Sequence, residues 1–118
     1  MHPIENRISE LLQLKDHSDI SAILDTISSF VKEKGGDTSP HQVRRIYNEV
    51  KKKKTWIELQ LLRPKIAYSI ARSSEKERYF LGFLEKVIRE VKTNEQVPNC
   101  ITFFESVVAY HKFHPNNK

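Results

Sequence analysis

Nine of the chain's 20 lysines and arginines lie between His41 and Arg72: Arg44, Arg45, Lys51, Lys52, Lys53, Lys54, Arg63, Lys65 and Arg72. Only Glu49 and Glu58 oppose them, so this stretch carries +7 while the whole chain carries +5. The rest of the molecule is therefore slightly acidic, and the positive charge forms one belt. Such a belt suits a polyanion, of which nucleic acid is the commonest. On a helical wheel Arg44, Asn48, Lys51 and Lys52 fall at i, i+4, i+7 and i+8. Lys65, Tyr68, Ser69 and Arg72 fall at i, i+3, i+4 and i+7, a second basic stripe with a ring and a hydroxyl set into it. Two short helices joined by a tight connector would bring both stripes to one surface. Guanidinium and ammonium groups there match phosphates, and Tyr68 can stack on a base without reading sequence.

The residues that would do catalysis are sparse. His111-x-x-His114 is the one histidine pair at helical ligand spacing, and no Asp, Glu or Cys nearby completes a metal site. His111 shares an apolar face with Phe104, Val107 and Val108, the setting of a core histidine with one hydrogen-bond partner. There is no Gly-rich phosphate loop, no Ser-His-Asp order and no motif-placed carboxylate pair. The expectation is a protein with no catalytic residues, no metal and no cofactor. The single Cys100 excludes an internal disulfide and reads as a small buried hydrophobe.

The elements that must hold the belt are helical throughout, which predicts an all-α bundle of about five to six short helices in one domain, residues 1–118. With only three glycines and five prolines, a turn-rich β fold is disfavoured. Residues 1–37 predict two amphipathic helices. The first carries Ile4, Ile8, Leu11 and Leu12. The second, capped at Ser18 or Asp19, carries Ile20, Ile23, Leu24, Ile27, Phe30 and Val31. Gly35-Gly36 stops it, through the left-handed conformation that glycine permits. Ser39-Pro40 opens a third helix with Val43, Ile46, Tyr47 and Val50 inward. Trp56 to Leu62 reads as a connector or single turn, with Pro64 opening a fourth helix. Ser74 caps a fifth, whose apolar set Tyr79, Phe80, Phe83, Leu84, Val87, Ile88 and Val91 is the widest in the chain. Pro98 or Asn99 starts the last helix, and Asn116 to Lys118 read as a frayed tail. No stretch approaches the roughly 20 apolar residues of a membrane span, and Met1 to Leu12 lacks the apolar run of a signal peptide. The expected compartment is the cytoplasm.

Three segments resemble one known family. Thr38-Ser39-Pro40-His41-Gln42-Val43-Arg44-Arg45-Ile46-Tyr47 resembles a segment of the small subunit of the CRISPR type III-A Csm effector complex. Leu62-Arg63-Pro64-Lys65-Ile66-Ala67-Tyr68-Ser69-Ile70-Ala71-Arg72 is similar to that family's Pro-Lys-x-Ala-Tyr…Arg signature, with Ala71 where the family pattern has Gly. Phe103-Phe104-Glu105-Ser106-Val107-Val108-Ala109-Tyr110-His111-Lys112 is similar to its closing segment. The three occur in the family's order, and define a family-like basic core over residues 38–112.

The resemblance implies a small all-helical, non-catalytic subunit of an antiviral ribonucleoprotein. Several copies stack along a filament threaded by crRNA and target RNA. The repeating backbone subunit cleaves RNA, and the large subunit cleaves DNA and makes cyclic oligoadenylate. Its partners would be both RNAs, the backbone and large subunits, and neighbouring copies of itself, with no membrane. The resemblance makes Arg44, Arg63, Lys65 and Arg72 RNA-contact candidates, and the wheel adds Lys51 and Lys52. The residues alone also admit a free-standing helical nucleic-acid-binding regulator, a helical protein-interaction module, or a nuclease using His111.

Overall fold

In the computed structural model, residues 1–114 are described; the tail expected at Asn116 to Lys118 lies outside them. Six α-helices and no strand occur among these residues: α1 Ile8–Leu11, α2 Ile20–Lys34, α3 Pro40–Val50, α4 Trp56–Arg72, α5 Glu75–Arg89 and α6 Gln96–Phe113. The all-α expectation holds. Short 3-10 turns at Pro3–Asn6 and Leu14–Asp16 flank α1.

Both the widest apolar face and the last helix behave as their sequences require. Phe80, Leu81, Phe83, Leu84, Val87 and Ile88 of α5 are buried, as are Val97, Cys100, Phe103, Phe104 and Val107 of α6. Phe30 of α2 sits among the rings of Phe80 and Phe83, with centroids 5.3 and 4.9 Å away. α6 packs against α2 and α3, while α4 packs against α5; α3 and α4 touch more lightly. That uneven contact leaves an opening between α3 and α4.

The helix ends are written in the sequence. Ser39 Oγ accepts from the Gln42 N–H at 3.1 Å, with Pro40 at the first helical position. Glu77 Oε1 accepts from both the N–H and the hydroxyl of Ser74 at 3.0 Å. The last helix starts at Gln96 rather than at the expected Pro98 or Asn99, with Pro98 in its first turn, where its missing N–H costs nothing.

Four further expectations are corrected. The segment from Trp56 is not a connector: α4 runs unbroken to Arg72 with Pro64 inside it. Thr55 and Glu58 form a reciprocal capping box that starts the helix. Leu59, Leu62 and Ile66, at i, i+3 and i+7, are all buried across the proline. An interior proline costs roughly 3 kcal/mol, and burying those three side chains outweighs it at roughly 1.5–3 kcal/mol each. Pro64 itself is exposed.

The first amphipathic helix is also not one helix. Ile4, Leu11, Leu12 and Leu14 are all buried, but not on one continuous helix. The chain breaks into short turns instead. Asn99 of α6 covers the break, its Nδ2 donating to the Leu12 carbonyl at 3.0 Å and its Oδ1 accepting from Lys15 N–H at 2.9 Å.

Asp19 does occupy the cap of α2, but its side chain makes no capping bond. Gly35 ends α2 without a left-handed turn, since its φ is −96° and neither it nor Gly36 has positive φ. Glycine is needed there for space. A Cβ on Gly35 would lie 2.8 Å from the Val31 carbonyl oxygen and 3.0 Å from the Phe80 ring.

Candidate nucleic-acid interface

The opening between α3 and α4 is a solvent-open groove of about 660 Å³. Its floor is Ile46, Leu62 and Ile66, the buried stripes of the two helices. Its walls carry Arg45 and Glu49 from α3, and Lys65, Tyr68 and Arg72 from α4. The second predicted stripe is therefore intact on one wall. Tyr68 is 64% exposed, and the Arg72 guanidinium lies 5.5 Å from its ring centroid. A ring held by a neighbouring cation and open on its other side can accept a base.

The charges in this groove are loosely held. Lys65 Nζ lies 3.5 Å and Lys52 Nζ 4.0 Å from Glu49 Oε2, with both ammonium groups about two-thirds exposed. Such pairs contribute about 0–1 kcal/mol, so phosphate can compete for either lysine.

The first predicted stripe divides. Arg45, absent from that stripe, is the arginine α3 turns into the groove, with Glu49 and Lys52 at i+4 and i+7 from it. That spacing is present in the sequence on the flank adjoining the predicted stripe, and Lys52 belongs to both. Lys51 instead lies over the Tyr47 ring, 5.3 Å from its centroid. Arg44 opens onto a separate, smaller groove between α3 and α6, which Lys112 also lines.

Arg63 is turned away from both grooves, toward α5. Its Nε donates to Glu85 Oε2 at 2.9 Å and its Nη1 to Gln60 Oε1 at 3.1 Å. Glu85 is buried, 7% exposed, and takes a second bond at 2.7 Å from Arg89. A buried carboxylate demands such partners. Sequence reasoning missed Glu85 because it lies outside the apolar stripe of α5.

His111 is buried, as its place on the apolar face required. Its Nε2 donates to the Gly35 carbonyl at 2.9 Å, and its ring stacks beside Phe80. His114 Nε2 pairs with Ser28 Oγ at 3.1 Å. Among the described residues no group of three His, Cys, Asp or Glu is placed to hold a metal. Cys100 is wholly buried, and burial pushes its thiol up to about 12. No helix among the described residues is long and apolar enough to cross a membrane.

The fold and site define a small all-helical bundle with basic residues lining an open groove. The family model described as Csm2 Type III-A matches residues 15–117, and the chain belongs to that family, the small subunit of the type III-A CRISPR Csm complex. The match reaches further toward the N-terminus than the motif segments at 38–112 and takes in all of α2. No curated protein and no solved structure matches the chain.

Proposed function

We propose that this subunit binds the backbone of crRNA and target RNA along the α3–α4 groove and so stabilises the type III-A filament. The observation that carries this reading is the convergence of Arg45, Lys65, Tyr68 and Arg72 on one open groove. Lys52 adds to it through its contact with Glu49. Lys51 and Arg44 extend the basic surface around α3, whereas Arg63 serves the fold. Gln42 also lines the groove, but cations and one ring predominate on its walls, which supports recognition of strand and charge rather than sequence. In this role the chain performs no chemistry of its own. It works in the cytoplasm, in antiviral defence, beside the backbone and large subunits.

The test is RNA binding by the purified chain and by reconstituted complexes carrying Arg45→Ala, Lys65→Ala and Arg72→Ala together. If about four phosphates are neutralised, log K falls with log salt at a slope near −3, at about 0.7 per contact. The triple variant should lose most of that slope. Salt-independent binding, or preference for one sequence, would overturn the reading.

Contact with neighbouring copies rests on a separate observation. Ile57 and Leu61 lie on the outer side of α4 at 56% and 75% exposure, in line with Tyr68. An apolar ridge beside the groove favours a protein neighbour there.

A further inference from the structure

His2 is buried, 5% exposed, and caps the turn Pro3–Asn6, its Nδ1 accepting from the Ile4 N–H at 3.1 Å. An Nδ1 that accepts fixes the neutral tautomer, with the ring proton on Nε2. Nε2 then donates to Ser29 Oγ of α2 at 3.2 Å, and Ser29 Oγ donates to Glu33 Oε2 at 2.9 Å. The His2 backbone makes a second tie, its N–H donating to the Tyr79 hydroxyl of α5 at 2.8 Å. Tyr79 donates in turn to Glu5, which also accepts from the Lys86 ammonium at 3.3 Å. One residue thus pins the turn to α2 through its ring and to α5 through its backbone. Beneath it Ile4 is wholly buried, and the His2 ring stands edge-on to Phe30 with centroids 5.6 Å apart.

This arrangement needs the neutral ring. A proton on Nδ1 makes it a donor facing the Ile4 N–H, so the turn loses its cap and a charge is placed in a buried position. Both effects disfavour the closed turn. The facing charges do not reverse this. On α2, Glu33 Oε1 lies 3.8 Å from Nε2 and favours the imidazolium, but its side chain is 57% exposed and its pull is screened. Lys34, also on α2 with its ammonium over the Tyr79 ring, opposes the charge. Lys86 of α5 is engaged by Glu5, and Glu5 by Tyr79 and Lys86. Burial is the largest influence and holds His2 below its ordinary value. Glu33 pulls back, while Lys34 and the amino terminus act with burial.

A histidine depressed in the closed state takes its proton more readily once released. The closed turn is therefore fully favoured above about pH 6.5 and loses ground as pH falls toward the folded value. In that window one proton shifts the closed-to-open ratio by up to about tenfold per pH unit. Glu5 adds a loss of the same sign in stronger acid, since the Tyr79 hydroxyl holds its carboxyl below the ordinary value.

We propose that residues 1–6 form an acid-released clasp, locked onto α2 and α5 by the neutral His2 imidazole and opened by one proton on Nδ1. Opening uncovers the seat of Ile4 and the edge of Phe30. None of the clasp's residues lines the α3–α4 groove, so the clasp stands apart from the RNA reading.

The experiment is an NMR titration of the full chain from neutral to acidic pH. The His2 ring carbons report protonation, and the heteronuclear NOEs of the Ile4 and Glu5 amides report release. The ring should titrate below about pH 6.5, and both NOEs should fall with the same midpoint. His2→Asn keeps a side-chain acceptor for the Ile4 N–H and takes no proton. Its NOEs should stay high through the parent's midpoint. Glu5→Gln leaves the titrating ring in place and should keep that midpoint, and it carries the test if Asn fails to seat the turn. Protonation of the ring with the NOEs unmoved would overturn the clasp. So would a fall in His2→Asn at the parent's midpoint, or loss of the midpoint in Glu5→Gln, which would make the carboxylate the only proton-sensitive joint.

Discussion

Arg63→Ala separates the fold from RNA binding at the position where family resemblance and structure point in different directions. The substitution removes the 2.9 Å bond to Glu85 and the 3.1 Å bond to Gln60. A hydrogen bond between charged groups contributes about 1.5–3 kcal/mol, and stripping a buried ion of its whole pairing costs about 3–5 kcal/mol. Glu85 keeps Arg89 at 2.7 Å, and the Arg63 side chain is 34% exposed, so the loss belongs near the bottom of these ranges, about 2 kcal/mol. Over 118 residues, an unfolding entropy of about 2.1 cal/mol/K per residue gives about 0.25 kcal/mol/K. The expected fall in Tm is therefore about 8 °C by circular dichroism. RNA affinity of the folded variant, measured well below its Tm, should match the parent. A variant that melts like the parent and binds RNA as weakly as Lys65→Ala would refute the reasoning. Arg63 would then contact the strand, and Glu85 would be adequately held by Arg89 alone.

Phe104→Ala should destabilise by about 3–5 kcal/mol, since Phe104 is 2% exposed and meets Phe103 edge-on at 5.3 Å; denaturant titration measures it. Cys100, buried and with its thiol raised to about 12, should resist alkylation in the native protein and react within minutes once unfolded, so mass spectrometry under both conditions reads the packing of α6. Glu5 accepts from the Tyr79 hydroxyl, which holds its carboxyl below the ordinary value, with Lys86 at 3.3 Å assisting. A depressed folded value stabilises the protein above the unfolded value of about 4.3. That contribution is lost as pH falls through the folded value, so denaturant-measured stability should fall in acid in the parent and fall less in Glu5→Gln.

Much of the bundle could be read from local signals because the chain supplies them locally. Ser39-Pro40 and Ser74 with Glu77 start helices by side-chain chemistry alone, and the α5 stripe is wide enough to dictate burial. Pro64 misled because its local preference is the first turn, whereas here burial on α5 decides; the Leu59, Leu62, Ile66 stripe and the Thr55–Glu58 box did carry the correct signal. The N-terminal turns were not legible, since what permits them is Asn99, 87 positions from Leu12. In the candidate site, the α4 wall was legible from one helix wheel. The α3 wall was not, because which flank of α3 meets α4 depends on how α3 seats on α6. Glu85 was invisible for the same reason, its burial being imposed by α4 lying across it.

On one side of the molecule α3, seated on α6 and latched nearby by the His111 bond to Gly35, meets α4, seated on α5, only lightly, while Phe30 of α2 joins both groups in one core. The larger groove is the seam on that side, so a strand bound there as proposed would grip both helices at once. Each phosphate held across the seam acts as a stitch as well as a contact. The subunit should accordingly become stiffer when a strand occupies the groove than when it is empty.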